Sequence, residues 1–270
     1  MSVGGCMENE YNIIGDIAGR FDTLQALLDK MPKSAVPLSV GDMVDRGPKS
    51  KEVIEFFMKK GKAVLGNHEH MMIDAYRRTG GLLAVGYYGP GLWVGANGGE
   101  KTLKAYYRDE DDKVTKLSVI ADFFRNFYWG FGSRDPQAVS EMAKELNALC
   151  KEMIPEEHII WLESLPKFIQ EDGLIITHAP INPSIRFEKF VDIGHSMGDR
   201  GETTCIWNRG STKRRDEFQV HGHNANRDFE WLKDSEGIYG VNLDSSRGDV
   251  LTGMHWPSKE IFTEKFSQYD

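Results

Sequence analysis

Five short apolar runs along the chain each end in polar residues. Short runs rich in β-branched and other apolar side chains, bounded by glycine, predict buried β-strands. The five runs are YNIIGD (residues 11–16), VPLSVGD (36–42), KAVLGNH (62–68), GLIITHA (173–179) and FQVHGHN (218–224).

Two segments between the first three runs repeat apolar residues at helical spacing. FDTLQALLDKM (21–31) places Leu24, Leu27 and Met31 on one face, with Leu28 beside them, and SKEVIEFFMKK (50–60) repeats the pattern. The resulting β-α-β-α-β order predicts right-handed crossovers and a sheet with parallel strands.

The pattern turns helical over residues 100–165. Asp135 followed by Pro136 predicts a helix N-terminus, because the carboxylate caps free N–H groups and proline suits the first turn. Val139, Met142, Ala143, Leu146 and Cys150 then recur at helical spacing. We expect a helical insertion at about 100–165 over one edge of the sheet, within a single domain of residues 1–270.

Three further strand-like segments follow in the last part of the sequence. They are GIYGVNLD (237–244), DVLTGMHW (249–256) and EIFTEKF (260–266), separated by turn residues. We expect them to form an antiparallel run that makes a second sheet packed on the first.

Charge, cysteine content and hydropathy disfavour several classes of partner and location. The net charge of −8 disfavours a duplex nucleic-acid partner. Three widely spaced cysteines, Cys6, Cys150 and Cys205, indicate free thiols in a reducing compartment. No apolar run reaches the roughly 18 residues of a membrane span, and the first residues lack a signal-peptide pattern. The expected location is therefore cytoplasmic, with no membrane partner.

The candidate chemistry lies at the ends of the five runs. A single Asp or His at a strand end is usually structural, but five such ends in one chain indicate a common site. Divalent ions favour carboxylate, amide oxygen and imidazole ligands together. The residues concerned are Asp16, Asp42, Asn67, His68, His178, His221 and His223.

Two strings carry the most specific chemistry. In GDMVDRG (41–47), Asp42 can bridge two metal ions, and Arg46 offers a planar fork to phosphate oxygens. In GNHEH (66–70), His68 is placed to protonate a leaving alkoxide. Asp45 beside that histidine would raise its pKa and fix its tautomer.

These strings, with GD-x-x-G (15–19) and the separate histidines, resemble the phosphoprotein phosphatase superfamily of calcineurin-like metallophosphoesterases. AVLGNHEHMMID (63–74), LWVGANGGEKTL (92–103) and CIWNRG (205–210) are most similar to the lambda-type Ser/Thr phosphatases of bacteria and phages. The resemblance runs from about residue 11 to 254 and is weakest in the helical insertion. It implies an α/β fold of two packed mixed β-sheets flanked by helices, a four-layer α-β-β-α sandwich.

The resemblance also implies two divalent metal ions. Asp16 and Asp42 would bind the first ion, and Asp42 would bridge to the second. His223 is the expected ligand rather than His221, because the family pattern places its histidine directly after Gly222. The implied ligands are Asp16, Asp42, Asn67, His178 and His223.

The remaining roles follow from the same resemblance. His68 would be the general acid, paired with Asp45, while Arg46 and Arg209 would clamp the phosphoryl oxygens. Asp244 would be a structural strand residue. Two ions about 3.5–4 Å apart would hold a hydroxide for in-line attack and neutralise the departing charge. Manganese is the expected metal, with Fe, Zn, Mg or Ni as alternatives.

The sequence departs from the family pattern at Ala18. The usual string is Gly-Asp-x-His-Gly, so the alanine removes one ligand and weakens the first metal position. His70 could be proposed as a substitute, but two residues along a helix from His68 it points elsewhere. Water is the expected occupant of the gap.

Three functions fit these observations. The first is a metal-dependent phosphatase acting on phosphomonoesters, including phosphorylated proteins or peptides. The second is a hydrolase of nucleoside polyphosphates or capped nucleotide ends, since some symmetrical diadenosine tetraphosphatase-like proteins resemble this chain in carrying a neutral residue at the position of Ala18. The third is a non-catalytic binder of a phosphorylated partner, which the retention of His68 disfavours.

Overall fold

The computed structural model describes residues 9–78, 90–107, 112–132, 135–171, 173–191 and 204–270. Within these residues the backbone forms ten strands and nine α-helices. The strands are β1 (Tyr11–Ile14), β2 (Val36–Ser39), β3 (Lys62–Ala63), β4 (Phe168–Glu171), β5 (Leu174–Thr177), β6 (Phe218–His221), β7 (Glu230–Asp234), β8 (Gly237–Asn242), β9 (Val250–Trp256) and β10 (Glu260–Lys265). The helices are α1 (Phe21–Lys30), α2 (Ser50–Lys60), α3 (Asn67–Arg77), α4 (Pro90–Ala96), α5 (Gly99–Tyr106), α6 (Asp112–Trp129), α7 (Pro136–Met153), α8 (Glu156–Ser164) and α9 (Phe187–Phe190).

The first sheet has the strand order β10-β9-β1-β2-β3. β1 pairs with β2, and β2 with β3, in parallel. The helices α1 and α2 connect these strands, so the predicted β-α-β-α-β unit is confirmed. The carboxyl ends of its three strands consequently lie at one edge.

The second sheet has the order β4-β5-β6-β8-β7. β5, β6 and β8 are parallel, and β4 and β7 pair antiparallel at the two outer positions. Both sheets are therefore mixed, as the family resemblance implies.

The expectation for the last three strand-like segments was wrong. β9 and β10 pair antiparallel but join the first sheet, with β9 beside β1, whereas β8 lies in the second sheet beside β6. The physical reason is that alternation of apolar residues specifies a strand but not its partner. β9 contributes a fully buried core residue, Met254, which a place beside β1 in the middle of the first sheet accommodates.

Alternate residues of the strands separate the layers of the fold. Ile13 belongs to a cluster shared by the two sheets, while its neighbour Ile14 packs into the helical core on the other face of the first sheet. In β5, Ile176 faces the shared cluster and Ile175 packs with Phe190 of α9. Because side chains alternate across a strand, these contacts define the order helix, sheet, sheet, helix.

Helices occupy most of the chain between β3 and β4. The predicted cap is confirmed, since the Asp135 side chain accepts the N–H of Gln137 at 3.2 Å and Pro136 opens α7. Helical structure already includes α4, ahead of the expected start at residue 100. Cys6 lies outside the described residues, as does most of the acidic turn RDEDDK (108–113). Among the described helices, none has the length and apolar character needed to cross a membrane.

Candidate active site

Residues that follow five strands meet in one buried cleft between the sheets. Asp16 and Asp42 follow β1 and β2, and His178 directly follows β5. The sheets touch closely here, because a Cβ on Gly15 would lie 2.4 Å from the carbonyl oxygen of Leu243. The structure brings together Asp16, Asp42, Asn67, His68, His178 and His223, each with 4% of its surface exposed or less.

Three acceptor atoms converge at the centre of this cleft. The Nδ1 of His178 lies 2.9 Å from the carbonyl oxygen of Val40, which only accepts hydrogen bonds, so Nδ1 carries the proton. In the neutral ring Nε2 then presents a lone pair to Asn67 Oδ1 at 2.9 Å and to Asp42 Oδ1 at 3.2 Å. Burial lowers the pKa of His178, which favours the neutral ring. Amide oxygen, carboxylate and imidazole lone pair aimed at one point fit a cation.

His223 completes this group. Its ligand atom lies with those of Asp42 and His178 within 4.8 Å of one another. Its Nε2 is buried and has no hydrogen-bond partner among the described residues. Burial is the main cause that lowers the pKa of His223 well below the ordinary value, and the charge of a protonated His178 is the second. The ring is therefore neutral and can coordinate a metal. His221 is buried too, but it is outside this group of three.

The carboxylate of Asp42 is held ionised at the junction. Burial alone would raise its pKa, but the positive charge that His178, His68 and His223 carry when protonated outweighs burial and lowers the pKa. The backbone N–H of His68 donates to Asp42 Oδ1 at 3.1 Å. An ionised carboxylate with access to neighbouring ligands from both sheets suits the bridging position.

Asp16, Asp42 and Asp244 interact through their charges near the position expected for the first metal. The N–H of His223 donates to Asp16 at 3.1 Å, which ties the loop after β1 to the second sheet. Burial, followed by the charges of Asp244 and Asp42, raises the pKa of Asp16 well above its ordinary value. Buried carboxylates that repel each other are stabilised by a divalent cation. Asp244 was expected to be only structural, and its charge bears directly on this position.

Ala18 occupies the gap in the first metal position. Its N–H donates to the carbonyl of Asp42 at 2.8 Å, and its φ of 51° lies in the left-handed region. Its side chain is buried, with 4% exposure. The backbone of the Gly-Asp loop is therefore tied to the GDMVDRG loop even though the side chain supplies no ligand.

The predicted acid pair is present. His68 Nδ1 lies 2.5 Å from Asp45 Oδ2, and both side chains are buried. Asp45 also accepts hydrogen bonds from Trp93 Nε1 at 2.9 Å and from Thr102 Oγ1 at 2.6 Å. Burial lowers the pKa of His68, but the charge of Asp42 and the hydrogen bond that His68 donates to Asp45 reverse this, so that the pKa is raised. With Nδ1 held by Asp45, Nε2 is the atom that can deliver a proton to a substrate.

Two exposed arginines lie beside the cleft. Arg46 Nη2 is 3.3 Å from His68 Nε2, and Arg209 Nη1 donates to the carbonyl oxygen of His223 at 3.0 Å. Arg209 is thus anchored to a residue of the site, Arg46 lies beside His68, and both guanidinium groups remain open to solvent. This placement suits contact with the oxygens of a bound phosphate.

Residues 12–188 match the sequence profile of the calcineurin-like phosphoesterases, and this match spans more than half of the chain. The chain belongs to the calcineurin-like phosphoesterase family. Phosphoesterases of this family use divalent metal ions, and the group of Asp42, His178 and His223 is a potential site for one.

Individual relatives of this phosphoesterase differ in their reactions. Serine/threonine-protein phosphatase 2 of Escherichia coli (strain K12) is 37% identical over 73 residues, 26% of this chain and 34% of the relative. A symmetrical bis(5'-nucleosyl)-tetraphosphatase of Vibrio campbellii is 48% identical over 67 residues, 22% of this chain and 25% of the relative. The chain thus aligns with about a third or a quarter of these relatives. The asymmetrical bis(5'-nucleosyl)-tetraphosphatase PrpE of Anoxybacillus flavithermus is 26% identical over 297 aligned residues, 96% of this chain and 99% of the relative.

Solved structures agree on the phosphoesterase fold. A putative diadenosine tetraphosphatase superposes with a TM-score of 0.54 at 18% identity, covering 97% of this chain and 96% of its own. A cold-active protein tyrosine phosphatase gives a TM-score of 0.51 at 14% identity, covering 91% and 73%. At these identities the likeness concerns the fold alone.

The residues that hold the loops were not predicted from the sequence. Glu69 is fully buried, and its carboxylate accepts the N–H groups of Asp42, Met43, Val44 and Gly66 at 2.7–3.2 Å. Its place in GNHE was visible, but no pattern in one sequence shows that a carboxylate one turn into a helix anchors a loop 25 residues away. Trp93 and Thr102 were likewise visible in the LWVGANGGEKTL string. No pattern in that string shows that their side chains donate to Asp45.

Proposed function

We propose that this protein is a metal-dependent phosphoester hydrolase acting on phosphomonoesters, including phosphoserine or phosphothreonine in proteins. One observation carries the proposal: the convergence of His178, Asn67 and Asp42 on a cation-sized point, beside the hydrogen-bonded pair of His68 and Asp45. A site that only bound phosphate would not need a buried acid held in one tautomer.

The metal ligands would be those expected from the sequence: Asp16 and Asp42 at the first position, and Asp42, Asn67, His178 and His223 at the second. When bound, divalent ions supply an acidified water as nucleophile and positive charge for the phosphate. We take manganese as the first choice, because it accepts oxygen and nitrogen ligands together.

The chain's own side chains would orient the substrate and move one proton. Arg46 and Arg209 would hold the phosphoryl oxygens in line with the leaving group. His68 would carry a proton on Nε2 and give it to the departing oxygen, while Asp45 keeps the ring oriented and stabilises its charged form. We further propose a cytoplasmic location, which suits the free thiols of Cys150 and Cys205.

The test is a parallel assay of metal-depleted protein with and without added manganese. The substrates are an aryl phosphate, a phosphoserine peptide and diadenosine tetraphosphate, and Asp42→Asn is the matched inactive control. We expect turnover of the monoesters that requires manganese and is lost in the variant. Full turnover by protein shown by metal analysis to be empty would contradict the proposal.

A second candidate is the hydrolysis of nucleoside polyphosphates. It is favoured by the asymmetrical tetraphosphatase of A. flavithermus, which aligns over nearly the whole of both chains. The neutral residue at Ala18 agrees with it. Preferential turnover of diadenosine tetraphosphate in the same assay would select this reaction over the first.

A further inference from the structure

A cavity of about 510 Å³ opens beside Arg46. Its walls come from α4, the turn into α5, the loop before α1 and the side chain of Arg125. Five charged side chains line it, four basic and one acidic: Arg20, Arg46, Lys101, Arg125 and Glu100.

The acidic side chain in this cavity is already neutralised. Glu100 accepts hydrogen bonds from Arg125 Nη2 at 2.9 Å and from Lys104 Nζ at 2.7 Å. Arg125 is further fixed by the Gly95 carbonyl and by Asp122. Glu100 and Arg125 thus form one wall, and the positive charge that remains comes from the other basic residues.

Arg20 and Lys101 have donors to spare. The Nε of Arg20 is buried without a hydrogen-bond partner among the described residues, and the guanidinium stacks 3.9 Å from the ring centre of Phe266. Asp249 and Asp270 act on Arg20 only through space. Lys101 is exposed on α5, and the described part of the chain gives it no ion-pair partner. Arg20 and Lys101 therefore line one cavity as cations without an ion-pair partner among the described residues, which favours an anionic ligand.

Arg46 connects this cavity with the candidate active site. It lines the cavity, and its Nη2 lies 3.3 Å from the Nε2 of the proposed acid, His68. The connection is rigid, because a Cβ on Gly98 would lie 2.7 Å from the backbone nitrogen of Arg46. Trp93 and Thr102, from α4 and α5, hold the adjacent Asp45. An anion in the cavity would therefore sit next to the phosphate that reacts.

We propose that Arg20 and Lys101 form a subsite for the second phosphate group of a polyphosphate chain, next to Arg46 and the phosphate that is attacked. This inference rests on the proposed function, because it takes the cleft beside His68 as the place of reaction. A phosphomonoester leaves the subsite without a ligand, whereas a phosphate chain supplies an anion at the next position.

The test compares Lys101→Ala with Lys144→Ala in the manganese-loaded protein. Lys144 is an exposed lysine of α7 outside the cavity, so its variant removes the same charge elsewhere. KM is measured for diadenosine tetraphosphate and for p-nitrophenyl phosphate. We expect the KM for diadenosine tetraphosphate, divided by the KM for p-nitrophenyl phosphate, to rise about 1.4- to 5-fold in Lys101→Ala, the scale of one exposed charge contact, and to stay unchanged in Lys144→Ala. Lys101→Arg should restore the ratio.

A binding measurement separates this inference from the proposed function. Calorimetry with inorganic tripolyphosphate and with orthophosphate needs no turnover. Tighter binding of tripolyphosphate, reduced in Lys101→Ala but not in Lys144→Ala, supports the subsite even if no substrate is hydrolysed, and shows that the nucleoside is not required. Equal affinities for the two anions, or equal effects of the two variants, would overturn the subsite, while turnover of p-nitrophenyl phosphate by the wild type would still uphold the proposed function.

Discussion

His68 receives its orientation and its proton affinity from two carboxylates. Asp45 lies 2.5 Å from its Nδ1, and Asp42 Oδ2 lies 3.7 Å from its Nε2. Both favour the charged imidazole, in a place where burial opposes it. The two carboxylates therefore favour the protonated ring and hold it in one orientation.

The substitution His68→Asn should lower turnover of an alkyl phosphate by about 10²–10⁴-fold, the usual effect of removing a positioned acid. The loss should be much smaller with p-nitrophenyl phosphate, whose leaving group needs no proton. Steady-state kinetics on the two substrates provides the measurement. Equal losses with both would remove His68 from the acid role.

The basic limb of the pH–rate profile should depend on Asp45. The proposed acid works in its protonated form, so activity falls as pH rises through the pKa of His68. Asp45 raises that pKa by a hydrogen bond and by its charge. Asp45→Asn should therefore move the basic limb towards lower pH for an alkyl phosphate. The double variant with His68→Asn serves as the control, and a limb that stays in place in Asp45→Asn would show that another group titrates there.

Ala18 can be tested by restoring an imidazole. Histidine tolerates the left-handed backbone of this position better than most residues. In Ala18→His we expect one more ligand beside Asp16, and hence tighter binding of the first ion. Asp244→Asn, which removes a nearby negative charge, should weaken it. Calorimetric titration of metal-depleted proteins is the measurement, and identical ion numbers and affinities in wild type and Ala18→His would favour a site for a single ion.

At the scale of elements, α4 and α5 fix the loop that carries Asp45 and Arg46. Trp93 of α4 and Thr102 of α5 donate to the carboxylate of Asp45. The turn between the helices passes over Arg46 at Gly98, whose φ is +99°. The helical segment between β3 and β4 is thus part of the site and does more than cover the sheet.

Gly98→Ala should weaken both folding and phosphate binding. Its Cβ would meet the backbone of Arg46 at 2.7 Å, and alanine is strained at this φ, which costs about 1–3 kcal/mol. Gly237→Ala is the matched control, because Gly237 has a φ of +118° but open space around its Cβ. Denaturant unfolding should show a loss in both variants, while orthophosphate affinity, measured by calorimetry, should fall only in Gly98→Ala. Equal affinities in the two variants would separate this turn from the phosphate site.

The sequence predicted the elements better than their partners. Apolar runs that end in Gly-Asp or Gly-Asn identified β1, β2 and β3, because strands and the loops after them are encoded locally. The pairing of β9 with β1 depends on contacts between residues about 240 positions apart, which no local pattern carries. The same limit explains the site: each ligand was predicted from its own strand end, but the bearing of Asp244 on Asp16 arises only when the two sheets pack. The single-domain assignment and the catalytic roles stay predictions.

At the scale of the whole molecule, the proposed metal ligands join the two sheets. Asp16, Asp42 and Asn67 come from the first sheet, and His178 and His223 come from the second. Any ion held by both sets connects the halves of the sandwich. Binding and global stability should therefore be linked.

Manganese should raise the free energy of unfolding. A ligand that binds only the folded state at 100 times its Kd contributes about 2.7 kcal/mol. We expect a concentration-dependent rise of the thermal midpoint in wild type and its loss in Asp42→Asn. Asp29→Asn, a change at an exposed carboxylate of α1, should behave as wild type. A rise of equal size in Asp42→Asn would place the stabilising ion elsewhere.

The sharing of the site between the sheets has a consequence for the newly made chain. Asp16 leaves the ribosome long before His223, by roughly 10 to 40 seconds at about 5–20 residues per second. Until then the emerging polypeptide lacks the last imidazole of the set, and β1 lacks its neighbour β9. The proposed metal site can therefore be completed only late in biogenesis, after His223 has emerged.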